Sequence, residues 1–259
     1  MPEGAALIRA RQQEVSMKTT LLVPVLALGI GISAPALPQS ARIDDQGVFV
    51  ISLRGLTAAT LVFSGVQQNS RYAVNGELKS AGIVAWVRKI SYVARARGHV
   101  EGQRYTPTTY SETADTGKRQ SQSEITFMQG VPVKIDYQPA RDPRPDSVDP
   151  ATMGGAVDPL TALYATLRNV APGEECKTNV QMFDGRRASR LLLSKPVRRG
   201  DHVVCTGEYR RLKGFSEKDM AEKSVFPFTL TYAPSDGGRM RVTEIALDTL
   251  YGQATMKRR

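Results

Sequence analysis

Apolar and polar positions alternate with a period of two along most of this chain. Val48-Phe49-Val50-Ile51-Ser52-Leu53, Thr57 to Gly65 and Ser70 to Gly76 are β-rich runs parted by short breaks. Such spacing predicts an antiparallel meander. The pattern resumes from Val93 to Val100, where Arg95 and Arg97 alternate with Ala94, Ala96 and Gly98. Two Thr/Ser-rich runs, Arg104 to Ser111 and Gln122 to Met128, flank Asp115-Thr116-Gly117-Lys118. They read as a long hairpin with one solvated face. Val131 to Tyr137 is a further strand whose Pro132 places it at an edge or a strand start. The apolar run Gly82 to Val87 is too short to separate a helical turn from a buried strand.

The period changes at Asp158-Pro159. Asp158 is a good N-cap, Pro159 suits the first helical position, and Leu160, Leu163, Tyr164 and Leu167 form one stripe. Pro172-Gly173 stops this helix, expected over about 158–170. Thr178 to Phe183 and Ala188 to Ser194 then flank Asp184-Gly185, a hairpin signal, and His202 to Tyr209 follows as a third strand. Ser216 with Asp219 caps a short helix near 216–222. Pro227 to Tyr232 and Arg239 to Leu247 flank Ser235-Asp236-Gly237-Gly238, and a last strand runs from Thr249 to Met256. The fold class is mainly β, with one principal helix packed on a sheet face. The Pro-rich segment 138–150 reads as a connector inside a single domain spanning 37–259.

The first residues change the setting. Lys18 follows Met17, an apolar run extends from Leu21 to Ile32, and Ser33-Ala34-Pro35-Ala36 ends it. Residues 1–36 read as a secretory signal with Met17 the more natural start and cleavage after Ala36. The run is shorter than the roughly 17–25 residues of a spanning helix; the alternative is an uncleaved interfacial segment. The expected location is therefore the periplasm. The charge is +10 over the full chain, and removal of 1–36 takes away three cations and two acids, leaving +9. Export makes nucleic acid an unsuitable partner for this basicity.

Export also gives the only two cysteines a meaning. Cys176 and Cys205 are expected to be bonded in an oxidising compartment; two free buried thiols are the alternative. A metal site lacks ligands, since only His202 is near either cysteine. Both thiols have the parity of their strands' apolar positions. Three side-by-side strands would hold the outer two about 9–10 Å apart, beyond disulfide reach. Either Cys176 precedes its strand, where the chain crosses over, or the strand order is not sequential.

Candidate chemistry is sparse. With His99 and His202 the only histidines, and His202 following Asp201 directly, adjacent side chains are expected to point apart and no triad forms. Nucleophile-elbow, zinc-protease and phosphate-loop motifs are missing. The acid pairs Asp44-Asp45 and Glu174-Glu175 read as solvated. No catalytic residue and no cofactor are therefore assigned. Basic residues are concentrated between Cys176 and Lys213: Lys177, Arg186, Arg187, Arg190, Lys195, Arg198, Arg199, Arg210, Arg211 and Lys213, against Asp184, Asp201 and Glu208. The candidate anionic-ligand patch is Arg186, Arg187, Arg190, Arg198, Arg199, Arg210 and Arg211, facing a lipid headgroup, lipoprotein or acidic envelope polymer; a solvated sheet face is the bland reading.

Arg54-Gly55-Leu56, Arg71-Tyr72, Tyr105-Thr106-Pro107, Tyr110, Val157-Asp158-Pro159-Leu160-Thr161-Ala162-Leu163, Cys176, Phe183-Asp184-Gly185-Arg186-Arg187 and Cys205 together resemble an exported bacterial family, domain of unknown function 3108. That resemblance covers most of the chain after the leader. It implies a curved antiparallel sheet or half-open barrel, similar to periplasmic lipoprotein-localisation carriers, and supplies no activity. The leading expectation is a non-enzymatic periplasmic protein holding a hydrophobic or amphiphilic envelope ligand, with a membrane surface as a further partner. The alternative is a structural or adaptor protein of an envelope assembly without a ligand cavity; a hydrolase would require a cleft with convergent acids.

Overall fold

The structure is a computed structural model that describes residues 42–142 and 144–259. The leader 1–36 and its cleavage point lie outside the described residues, as does Pro143 of the connector.

Seven strands form a first meander: β1 (Ile43–Leu53), β2 (Leu56–Gln68), β3 (Arg71–Ser80), β4 (Ser91–Glu101), β5 (Arg104–Asp115), β6 (Gln120–Met128) and β7 (Val131–Gln138). Six form a second: β8 (Asn179–Phe183), β9 (Ala188–Arg199), β10 (His202–Lys213), β11 (Val225–Ser235), β12 (Arg239–Thr249) and β13 (Gly252–Arg258). First and last strands pair antiparallel, Ile51 opposite Met256, so all thirteen make one sheet with β7 and β8 as its edges. Pro132 thus lies on an edge strand, where its missing N–H costs no ladder bond.

Strict alternation makes one face apolar. In β3, Tyr72, Val74 and Gly76 are buried while Arg71, Ala73 and Asn75, alternating with them, are exposed. Phe49, Phe63, Ile125, Cys205, Leu230, Tyr232 and Val242 are buried in the same way and form one core with the other inward residues of both meanders. Sheets twist, and a long one with a single apolar face curls around what it buries.

What it buries is α2 (Pro159–Leu167). Asp158 caps it, its Oδ1 accepting from the Thr161 N–H at 2.8 Å, and Pro159 opens it. Leu160, Thr161, Ala162, Tyr164, Ala165, Thr166 and Leu167 are all buried, so the helix is enclosed on nearly every side. Strands of both meanders grip it. The Tyr72 and Thr161 hydroxyls share a hydrogen bond at 2.8 Å, Tyr164 donates to Asp45 at 3.2 Å, and Arg258 donates to the Leu167 carbonyl at 3.4 Å. The helix is therefore an internal strut within the curve, a tighter role than resting on one sheet face.

The segment between β7 and α2, which includes the Pro-rich connector and runs on past it, bridges the sheet's open edges. Val157 pairs in parallel with Met182 of β8, and Gly155 donates to the carbonyl of Gly130 beside β7 at 3.0 Å. Val148, Met153 and Ala156 pack on Phe183 and Ala188 as a second small core. Two further helices lie between strands: α1 (Gly82–Val87), which resolves the ambiguous run as helix, and α3 (Glu217–Glu222), capped by Ser216 as expected.

Cys176 and Cys205 are bonded, with Cα atoms 5.3 Å apart. Cys176 lies before β8, on the segment leaving α2, and reaches β10 from inside the curve. The strand-spacing difficulty is resolved by that crossover; the strand order within the meander is sequential.

Candidate functional site: an apolar recess beside the internal helix

At nine residues, α2 is about 14 Å long. Twelve-residue β10 runs to about 40 Å. A strut that short leaves part of the curved interior unfilled. The unfilled part lies on the inner face of β9 to β12, toward the end that carries α3 and the β12–β13 turn. There an open recess of about 370 Å³ is lined by Leu163, Thr166 and Leu167 of α2, Leu191, Tyr209, Phe226 and Phe228, and Ile245, Leu247 and Thr249. Leu163, Leu191, Tyr209, Phe228 and Ile245 are only partly buried. The volume suits a small ligand or one acyl chain, and the lining offers dispersion contact with almost no hydrogen bonding.

Cations stand at its mouth. Phe226 has the Arg211 guanidinium over its ring at 5.0 Å and the Lys223 ammonium at 5.0 Å. Phe215 beside them carries Arg187 at 5.1 Å and Arg211 at 5.3 Å. Arg211 is fixed further by donating to the carbonyls of Asp219 at 2.6 Å and Lys223 at 2.9 Å, which anchors α3 over the mouth. The hydrogen bond from Ser216, then the Arg211 and Arg187 charges, hold the Asp219 carboxyl below its ordinary value.

The structure divides the arginines of the sequence-derived patch. Arg187 and Arg211 meet at the mouth, Arg211 from β10 and Arg187 from the β8–β9 turn, which also holds Arg186. Arg190 and Arg210 lie directly opposite each other on β9 and β10, on the outer face. Arg190 donates to Asn179 at 2.9 Å and Arg210 to Glu208 at 2.8 Å. Strand direction carries Arg198 and Arg199 to the β9–β10 turn at the other end of the sheet.

Three expectations are corrected. Asp45 is buried, not solvated: β1 turns it inward, and it accepts from Tyr164 and from the Asn169 N–H at 3.0 Å. Glu175 is buried as well, accepting from the Gly173 N–H at 2.6 Å, while Glu174 is partly exposed and accepts from Lys177 and Gln103. His202 and Asp201 do not point apart; they approach to 2.6 Å, because Asp201 sits in the turn before β10 and not within a strand. That exposed pair is at the end of the sheet remote from the recess. Among the described residues, no group of three His, Cys, Asp or Glu side chains could hold a metal ion.

Deeper in the interior, polar groups are satisfied locally. Gln67 donates to Tyr105 at 2.9 Å and to Tyr164 at 3.2 Å. Burial pushes the Tyr105 and Tyr232 hydroxyls up to about 12 and the Asp158 carboxyl up to about 6. Tyr105 also meets Tyr72 edge-on at 5.0 Å and Tyr164 at 6.0 Å. This network positions α2.

A family model described as "Protein of unknown function (DUF3108)" matches residues 48–213, more than half of the chain. The chain belongs to this family. The DUF3108 region takes in α2, both cysteines, Arg187 and Arg211, and ends with β10; Phe226, Phe228, Ile245 and Leu247 come from the strands beyond it. Comparison with curated proteins gives no match. Among solved structures, the crystal structure of a β-barrel-like protein of domain of unknown function DUF1849 from Brucella abortus is similar at 10% identity, with a TM-score of 0.47. That match covers 86% of this chain and 98% of the other.

The recess had no signature in the pattern of residues, since an inward apolar side chain reads alike whether it meets a neighbour or a void. Only the length of the Asp158–Asn169 segment against that of the strands carried a hint.

Proposed function

We propose that this protein is a non-enzymatic periplasmic carrier of an amphiphile, exported by a cleaved leader. The acyl chain enters the recess and an acidic headgroup stays at the mouth near Arg187, Arg211 and Lys223. The observation that carries this reading is the open, almost wholly apolar recess next to aromatic-stacked cations. Apolar contact would supply affinity, and the cations would orient the headgroup and select its charge. An adaptor without a cavity has no use for partly exposed Tyr209, Phe228 and Ile245 in its interior, and the recess is what favours the carrier over it.

The test is displacement of a fluorescent fatty-acid analogue. Leu163→Glu puts a charge into the recess and is expected to weaken binding about tenfold or more. Arg187→Ala is expected to weaken acidic amphiphiles more than neutral ones. Unchanged binding in Leu163→Glu, with folding verified by circular dichroism, would sink the assignment.

A further inference from the structure

The end of the sheet that carries the recess also carries an apolar rim unrelated to the core. α1 has no buried residue at all. Its Trp86 is 92% exposed and Val87 86% exposed, with Ile83 exposed beside them. Leu56 in the β1–β2 turn and Tyr251 in the β12–β13 turn are exposed too. Strand directions put these turns at one end, and hydrogen bonds tie them into one arc. Arg54 Nε donates to the Tyr251 carbonyl at 2.6 Å, Ala81 to the Ala58 carbonyl at 2.9 Å, and Arg88 Nε to the Thr116 carbonyl at 2.8 Å.

The charge of the arc is mostly positive, with Asp115 at the start of the β5–β6 turn accepting from the Gly117 N–H at 2.7 Å and from Gln120 at 3.2 Å. Residues 81–90 and 116–119 hold Arg88, Lys89, Lys118 and Arg119 and no acid; all four cations are exposed. A tryptophan and aliphatic side chains projecting between lysines and arginines is the composition of a membrane-interface anchor. The indole settles at headgroup depth, the aliphatic tips enter the acyl boundary, and the cations meet anionic lipid. An exposed Trp-Val pair with such flanks has no stabilising role in the fold, because neither side chain packs on the core.

We propose that this rim docks the protein on an anionic phospholipid bilayer through Trp86, Val87, Ile83 and Leu56, with Arg88, Lys89, Lys118 and Arg119 on the headgroups. The contact faces the same way as the recess mouth, since Tyr251 and recess-lining Thr249 belong to one turn, with the Tyr251 N–H donating to Thr249 Oγ1 at 3.0 Å. Docking stands apart from the carrier reading: the rim can bind a bilayer whether or not the recess takes a chain.

Trp86 is the sole tryptophan, so its emission reports the contact directly. Vesicles of phosphatidylethanolamine with phosphatidylglycerol are expected to shift that emission to the blue and to co-sediment the protein, less so as salt rises. Val87→Asp is expected to weaken partition about tenfold. The charge-reversed pair Lys118→Glu with Arg119→Glu, on an exposed turn, is expected to abolish the preference for phosphatidylglycerol over phosphatidylcholine. Leu163→Glu, which blocks the recess, is expected to keep full co-sedimentation. The proposal is overturned if emission and sedimentation do not respond to vesicles, or if Val87→Asp and the charge-reversed pair bind as the parent does. It is overturned too if Leu163→Glu abolishes sedimentation, or if the rim instead pairs two copies in a dimer that Val87→Asp dissolves.

Discussion

The Tyr164 ring lies directly over Gly65: a Cβ at position 65 would come within 2.3 Å of Tyr164 Cε2. The glycine on β2 is the space into which the internal helix fits. Tyr164 is fully buried and its hydroxyl is held by Asp45 and Gln67, so the ring has nowhere to go. Gly65→Val should cost about 1–3 kcal/mol, as overpacking typically does. The urea midpoint is expected to fall accordingly, and a midpoint equal to the parent's would contradict the fit of helix to strand.

The Cys176–Cys205 bond closes a separation of 29 residues and pins the end of α2's exit segment to β10. Chain-entropy arithmetic for a loop of that size gives about 3–4 kcal/mol. Replacing both cysteines by serine should lower the unfolding free energy by about that amount, and reduction with dithiothreitol should mimic it. Equal denaturation curves with and without reductant would refute a structural role.

Much of this fold was legible, and the reasons are local. Alternation in Val93–Val100 and the Asp184-Gly185 and Asp236-Gly237 turns specify strands and hairpins without help from distant residues. Asp158-Pro159 specifies the start of α2 in the same way. The disulfide's position followed from a distance argument, since sheet spacing forbids a bond across a middle strand. What depended on the third dimension stayed hidden. Asp45 looks like any acid near a chain's beginning until β1 turns it toward Tyr164. Arg198 and Arg199 are close to Arg187 in number and yet a strand's length away, because β9 runs from one end of the sheet to the other. Trp86 is a large apolar residue that a count assigns to the core, and a six-residue helix holds it outside.

Asp158 links stability to pH. Its carboxyl is fully buried, with Oδ2 accepting from the Thr161 hydroxyl at 2.6 Å, and burial outweighs these bonds and raises it from 3.8 to about 6. A raised carboxyl keeps its proton longer in the folded state than in the unfolded chain. Its contribution is therefore complete below about pH 4, declines as pH climbs, and is gone above about 6. Asp158→Asn retains a capping side chain but cannot ionise. Stability of the parent relative to this variant should fall by on the order of 2–3 kcal/mol between pH 4 and 7. A difference that does not change over that range would show that the carboxyl titrates normally.

Arg211 makes the last connection, between the mouth of the recess and the helix above it. One guanidinium stacks on both Phe215 and Phe226 while donating to the carbonyls of Asp219 and Lys223. Both bonds leave one nitrogen, Nη1, at the far end of the guanidinium; lysine keeps the charge, but its ammonium sits on a shorter stem and it loses the planar stacking on the two rings. Arg211→Lys should therefore free the α3 segment, residues 214–224, and its amides should exchange with deuterium faster, while amides of α2 exchange as before. If the guanidinium acts only as a headgroup charge, the lysine variant would leave α3 exchange untouched. If it acts as the tether of α3, exchange rises even though the net charge at the mouth is the same. Arg211→Ala separates the two roles from the other side, since it removes both the tether and the charge, and its loss of affinity for acidic amphiphiles should exceed that of the lysine variant.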